Sequence, residues 1–425
     1  MNTSYINYRL TLTAVLFYFI LHVSAGSIFS IQEKSRKAYN SYKNLVMVGY
    51  QGWFNTPEDG AGRRWAQYQN YKTRKFEPGE CSIDLWPDVT DYKQTYETPF
   101  LYEDGTHARV FSSNDESTVE LHFKWMRDYK IDGAFMQRFV INIKNYSNKC
   151  HFDKVLDSAN KYANKYSRAI SIFYDLTGMQ PGDGRILLND IDSITERYSI
   201  LKHKENPSYL YHNGKPLVVV WGIGFKNRKY TLLECDSIVN SLKKRGFSIM
   251  VGVPTRWRDL SGDAVADSLL HRIIKSADIV SPWRVGRYNF KNYNSFKETI
   301  MKKDLEWANQ YGIGYAPVCF PGFSWRNMNK YPDERSLYPR NGGRFYWEQL
   351  SSAIEMGVKM IYIAMFDEIN EGTAIFKCSE KVPLSTDGSI FIPVDRPSDF
   401  YLWLTGQASM MIKQKKKLEK NLPKR

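Results

Sequence analysis

The densest run of reactive side chains is Asp367-Glu368-Ile369-Asn370-Glu371-Gly372, which directly follows the apolar stretch Met360–Phe366. Burying a charge is expensive, so three acids at the end of a buried strand are poor core residues. Glu368 and Glu371 offer the pair that glycoside hydrolysis needs: one proton donor and one basic or nucleophilic carboxylate around the scissile bond. Mutual repulsion and partial burial would raise one pKa and keep that group protonated as the acid. The same residues also read as an acidic loop or as oxygen ligands for calcium. Their spacing leaves the carboxyl separation open, and with it retention or inversion.

The elements that must hold this run alternate in type. Eight short apolar segments read as buried strands: Val46–Trp53, Ile131–Phe139, Ala169–Leu176, Pro216–Ile223, Ser248–Pro254, Asp278–Val285, Gly314–Phe320 and Val358–Phe366. Amphipathic segments between them read as helices: Glu116–Lys130, Phe152–Ser167, Asn189–His203, Thr231–Arg245, Asp263–Ala277, Asn294–Tyr311 and Gly343–Gly357, with a final helix over Asp395–Ile412. Asn114 or Asp115 is placed to cap the first of these. Eightfold alternation predicts an α/β fold, a (β/α)8 TIM barrel, as a single domain with a long insertion after the first strand. A doubly wound open sheet is the alternative.

Barrel enzymes work just beyond the strand ends. Those positions collect Tyr50, Gln51 and Trp53, then Gln137 and Arg138, Asp175, Trp221, Arg256 and Trp257, Trp283, Trp325, and finally Asp367 and Asn370. A mouth of amides, carboxylates, arginines and indoles suits a polyhydroxylated ligand, and these are the candidate substrate-binding residues around Glu368 and Glu371. Glycine-rich phosphate loops, Ser-His-Asp motifs and zinc-helix signatures are absent from the sequence, so neither a cofactor nor a metal is expected.

The 11 Trp, 29 Tyr and 23 Phe agree with a ligand that has apolar C–H faces, although rings also fill barrel cores. Arg9, the apolar run Leu10–Leu21 and Val23-Ser24-Ala25 form a secretory signal over residues 1–25, which places the protein outside the cytoplasm: secreted or periplasmic in a bacterium, or at its surface. A retained N-terminal helix is the competing interpretation, and no other stretch is long and apolar enough for a transmembrane anchor. The hydrolase domain then spans 26–412. The net charge is +14, and a basic tail over 413–425 holds seven basic residues and one acid. Such a tail contacts anionic surfaces or frays into solvent. With no nucleic-acid motif, nucleic acid is not an expected partner; a glycan substrate is, with the protein as a monomer. The five cysteines are scattered and form no metal-binding spacing.

Three blocks resemble glycoside hydrolase family 99 and the family 71/99-like proteins. They are Gly49-Tyr50-Gln51-Gly52-Trp53-Phe54-Asn55-Thr56-Pro57, the stretch from Phe111 through His122-Phe123-Lys124-Trp125-Met126 to Phe139, and Glu368-Ile369-Asn370-Glu371-Gly372-Thr373. The resemblance implies a retaining glycosidase of the endo-α-mannosidase type on a (β/α)8 barrel. It also implies 2-hydroxyl participation, with Glu368 as the base toward that hydroxyl and Glu371 as the acid/base. The sequence departs from the family at Ile369 and Asn370, where the family has Trp-His, at Asp367 for asparagine and at Gln51 for histidine. A non-catalytic glycan-binding barrel is the alternative function.

Overall fold

The computed structural model describes residues 38–329, 337–385 and 389–425. The segment read as a secretory signal lies outside the described residues. Strand β1 (Leu45–Tyr50) pairs in parallel with β2 (Gly133–Phe139), and β2 with β3 (Ala169–Asp175). The ladder continues through β4 (Lys215–Trp221), β5 (Ser248–Val253) and β6 (Ile279–Pro282). The seventh segment is split into β7 (Gly314–Tyr315), paired with β6, and β8 (Val318–Cys319), paired with β9 (Met360–Ile363). Because β9 also pairs with β1, the ring of parallel strands closes. Pro317 interrupts the seventh segment because it has no N–H to give the ladder. Its carbonyl still accepts from the Tyr362 amide at 3.1 Å, which carries the sheet past the break.

Strand periodicity sorts the core into two layers. Met47, Phe135, Phe173, Val219, Met250, Ile279 and Tyr362 face into the barrel. Their neighbours Val48, Met136, Tyr174, Val220, Val251, Val280 and Ile363 face the helices. Successive side chains alternate, so a strand in a closed barrel is apolar on both faces. Each fully buried aliphatic side chain of this kind contributes about 1.5–3 kcal/mol.

The crossover helices are α1 (Glu116–Asp128), α2 (Tyr146–Tyr166), α3 (Gly184–Arg197), α4 (Leu232–Lys244), α5 (Leu269–Ser276), α6 (Lys302–Gln310) and α7 (Arg344–Glu355), with α8 (Phe400–Ile412) last. Helix α3 begins five residues before the expected Asn189, because Gly184–Leu188 extends the same apolar face with Leu187 buried. Asp115 occupies the N-cap position of α1 without a side-chain cap bond; its carboxylate instead accepts from the Tyr96 hydroxyl at 3.1 Å. The insertion after β1 carries an antiparallel pair, Tyr96–Leu101 with His107–Val110, over a nest of rings that includes Phe76, Trp86 and Phe100.

The basic tail is tied down. Lys413 pairs with buried Asp132, Lys420 with Glu355 and Arg425 with Asp399, and Trp347 donates to the Glu419 carbonyl at 3.1 Å. The tail is therefore docked rather than frayed, with most of its side chains still exposed: Asp132, Glu355 and Asp399 supply the charges that hold it. No helix among the described residues is long and apolar enough to cross a membrane.

Candidate active site

The strand ends surround a cavity of about 660 Å³. That volume suits a ligand of a few sugar rings, since small-molecule sites typically enclose about 300–1,000 Å³. Nine of the sequence-derived candidates line it: Gln51, Trp53, Gln137, Asp175, Trp221, Trp283, Trp325, Glu368 and Glu371. They come from β2, β3 and β4 and from the segments that directly follow β1, β6, β8 and β9.

Glycines make room for this arrangement. A Cβ on Gly252 of β5 would meet the Trp221 ring at 2.2 Å, so the indole can lie across β5 only because that position is bare. It reaches Trp283 at 5.3 Å in an edge-to-face contact. A Cβ on Gly49 of β1 would likewise strike the Met365 side chain at 2.3 Å and the Tyr362 hydroxyl at 2.6 Å. That hydroxyl accepts a hydrogen bond at 3.0 Å from the side-chain amide of Gln137, which lines the cavity.

The loop after β9 is held at almost every residue. The Phe366 amide donates to the Gly49 carbonyl at 2.7 Å. Asp367 accepts from the Gln51 and Gly52 amides, each at 2.8 Å, and so ties the loop after β9 to the end of β1. The Ile369 carbonyl accepts from the Asp84 and Leu85 amides of the insertion at 3.1 and 3.2 Å. The Glu371 carbonyl accepts from the Ser324 amide at 2.8 Å. Asp84 completes the brace, because its carboxylate accepts from the Ser324 hydroxyl and from the Arg326 and Asn327 amides, the last two at 2.8 Å. Through these bonds the insertion sets both the Trp325 loop and the Glu371 loop.

Glu368 is 4% exposed and accepts from the Gln51 amide at 3.1 Å and the Thr373 hydroxyl at 3.0 Å. Burial raises its pKa, and the neighbouring Glu371 and Asp367 charges add to the rise. Glu371 is pushed up to about 7, first by burial and then by the charge of Asp175, while a hydrogen bond from the Trp325 side chain pulls the other way. Asp175, whose carboxylate accepts from the Thr177 amide at 2.7 Å, is raised by burial to about 6. Two interacting buried carboxylates titrate as a unit, and burial with mutual repulsion keeps a proton on the pair at pH values where free carboxylates are ionised, as a proton donor requires. Three lining residues, Gln51, Trp53 and Trp221, each hold a buried polar atom without a protein hydrogen-bond partner: Oε1, Nε1 and Nε1 respectively. Such atoms are costly unless a ligand or water satisfies them. Among the described residues, no group of three or more His, Cys, Asp or Glu is placed to hold a metal ion.

Six candidates do not line the cavity. Tyr50 and Arg138 sit one residue out of phase, on the helix side of their strands. The Tyr50 hydroxyl bonds His122 Nδ1 at 2.9 Å, and Arg138 is locked between Asp190 at 2.6 Å and Asp153 at 2.8 Å. Trp257 turns into the helix layer against Trp307 at 4.7 Å, and Arg256 is exposed near Asp259. Asp367 spends both oxygens on backbone amides. Asn370 donates to Tyr71 and Gln67 at 2.9 and 3.2 Å. The expectation that these six meet a substrate is corrected by placement; Asp367 instead positions Gln51, which bonds Glu368.

Sequence reasoning missed Phe139, Phe173, Arg287, Phe323 and Tyr338 on the cavity wall. Phe139 and Phe173 were within reach, since each is two residues from a candidate on the same face of its strand. Phe323 pairs with Tyr338 across an antiparallel contact of two residues on each side, too short to leave an alternating pattern in the sequence.

No protein-family model matches the sequence. Solved structures do match. The chain is similar to a GH99 endo-α-mannosidase from Bacteroides thetaiotaomicron in two structures. One gives a TM-score of 0.62 at 16% identity, over 87% of this chain and 98% of the other. The second gives 0.61 at 15% identity, over 88% and 98%. A glycoside hydrolase-like protein matches with a TM-score of 0.50 at 13% identity, over 76% of this chain and 92% of that one. At such identities the likeness is one of fold, and the fold is that of a glycoside hydrolase barrel.

Proposed function

We propose that this protein is a retaining glycoside hydrolase in which Glu368 and Glu371 cleave a bond of a polysaccharide or complex glycan. The observation that carries the reading is the convergence of two buried, raised carboxylates on one indole-lined cavity at the strand ends. The glycoside hydrolase-like fold supports it.

The roles are taken from the family 99 resemblance: Glu368 is the base toward the 2-hydroxyl and Glu371 the acid/base. Burial raises both carboxylates, and each also accepts side-chain hydrogen bonding that supports its charged form when it acts as a base. In the first step the Glu368 carboxylate takes the proton of the substrate 2-hydroxyl while that oxygen attacks the anomeric carbon. The glycosidic C–O bond breaks, and Glu371 protonates the leaving oxygen. The product is a 1,2-anhydro sugar. In the second step the Glu371 carboxylate takes a proton from water, the water oxygen attacks the anomeric carbon, the bond from that carbon to the 2-oxygen breaks, and Glu368 returns its proton to the 2-oxygen. Two inversions give net retention. The matched Bacteroides protein is an endo-α-mannosidase, and α-mannosides are therefore the first neutral substrates to assay.

A turnover screen of the wild type beside Glu371→Gln on plant, fungal and host glycans tests the proposal. Sugar release by the wild type alone is the expected result. Equal release by both proteins would remove Glu371 from the chemistry. Binding by both proteins without release would make this a glycan-binding barrel.

A further inference from the structure

Arg287 is the one cationic side chain among the described residues that line the cavity. Its ion pair with Asp263 is long, at 3.5 Å, and half exposed. Asp263 is also occupied elsewhere, because its carboxylate accepts from the Thr255 and Arg256 amides at 3.0 and 2.9 Å. The guanidinium is therefore loosely held on its own protein. A planar fork of donors in that state is matched to a carboxylate or an oxyanion ester.

A second arginine approaches the same wall. Arg228, in the loop after β4, lies 5.8 Å from the centre of the Trp221 ring and 5.4 Å from that of Phe225. Its Nε is buried and makes no hydrogen bond. Trp221 in turn contacts Trp283, and both indoles line the cavity. The acids enter from other elements: Asp175 from β3, and Glu368 and Glu371 from the loop after β9. Arg228 thus lies against the indole pair, close enough to Asp175, the cross-strand neighbour of Trp221, to offset its charge, and Arg287 lines the same cavity with no lining carboxylate as its ion-pair partner.

A neutral sugar gives such a wall nothing to neutralise, and C–H stacking on the indoles would suffice for it. We infer that the cavity takes a glycan with an anionic substituent, either a uronate carboxylate or a sulfate ester. Arg287 is its specificity-determining contact, with Arg228 adding positive charge across the Trp221 ring. The inference rests on the cavity being a glycan site, as proposed above, but not on which residues perform the cleavage.

The test is a binding measurement on matched glycan sets, each a neutral oligosaccharide with its uronate-containing and its sulfated counterparts. Using the Glu371→Gln protein keeps the ligands from being cut. Acidic members are expected to bind about tenfold or more tightly than their neutral partners, as a charge-assisted contact implies. Arg287→Gln in the same background abolishes that preference, and Arg287→Lys, which keeps the charge but not the fork, retains part of it. Lys226→Gln removes an exposed charge nearby but not in the cavity, and leaves acidic binding unchanged. Preference for only the uronate or only the sulfated member identifies the anion. Equal binding of neutral and acidic members, or no binding of any acidic member, overturns the inference. An equal effect of Lys226→Gln and Arg287→Gln also overturns it, because it would reflect the diffuse positive charge of the protein. Full turnover by Glu371→Gln in a parallel assay would sink the proposed acid/base while leaving the anion preference intact.

Discussion

The loop that carries Glu368 and Glu371 is braced from other segments by the buried carboxylates of Asp367 and Asp84, whereas at Trp221, Trp283 and Arg287 only the backbone is hydrogen-bonded and the side chains rest on ring contacts and one long ion pair. In the first region Asp367 ties the loop to β1, and Ile369 and Glu371 accept bonds from the insertion and the Trp325 loop. In the second, Trp221 rests on Trp283 and Phe225, and Arg287 reaches Asp263 at 3.5 Å. The difference matches the tolerances of the two tasks. Moving a proton between fixed atoms requires placement within a fraction of an ångström, and a misplacement of about 1 Å can cost about a hundredfold in rate. Stacking and charge recognition accept a range of poses.

The sharpest way to break the comparison is Glu368→Gln. Loss of a catalytic base is expected to lower kcat by about 10²–10⁴-fold with a modest change in KM. A change confined to KM would move Glu368 from the first region's task to the second's. Next in size is Asp84→Ala, at a residue that touches no lining carboxylate yet accepts from Ser324, Arg326 and Asn327. Three donors lose their acceptor, and the Glu371 loop loses its brace. A fall of about 10–100-fold in kcat is expected, larger than any rise in KM, together with a lower melting temperature. Asp84→Asn, which keeps one acceptor oxygen, should recover part of the rate. If the melting temperature falls while kcat holds, Asp84 serves stability alone.

The smallest effect is on stability. Glu371 is raised from 4.5 to about 7, so between those values the folded protein holds more protons than the unfolded chain. Stability from this group is therefore fully present below about pH 4.5 and is lost as pH rises toward about 7. Glu371→Gln removes that loss, and should melt a few degrees above the wild type at pH 8 and about level with it at pH 4. In the wild type kcat should decline above about pH 7, as the acid loses its proton. A melting difference independent of pH would contradict the raised pKa of Glu371.

Much of this was legible in the sequence, for identifiable reasons. All eight strand segments were visible because a closed barrel buries both faces of each strand, which leaves runs such as Leu217-Val218-Val219-Val220. Glu368 and Glu371 stood out because acids rarely follow such a run unless they are used. Tyr50 and Arg138 show where local reading stops. Both are large, polar and at strand ends, but one residue of phase turns them toward the helices, where His122 and Asp190 satisfy them. Phase could have been read from the apolar partners. The partners that make Arg138 structural could not, since Asp190 lies 52 positions away.

The sequence by itself determined the alternation of strands and helices, the position of the carboxylate pair at a strand end and the chemistry that pair can perform. Those properties are local, set by the burial of neighbouring side chains and the cost of stranding a charge among them. Tertiary structure decided which strand-end residues share the cavity, that Asp84 and Asp367 hold the loop after β9, and that Arg287 lines the same cavity as the indoles. Those properties depend on contacts between segments tens to hundreds of residues apart, and only closure of the barrel brings the segments together.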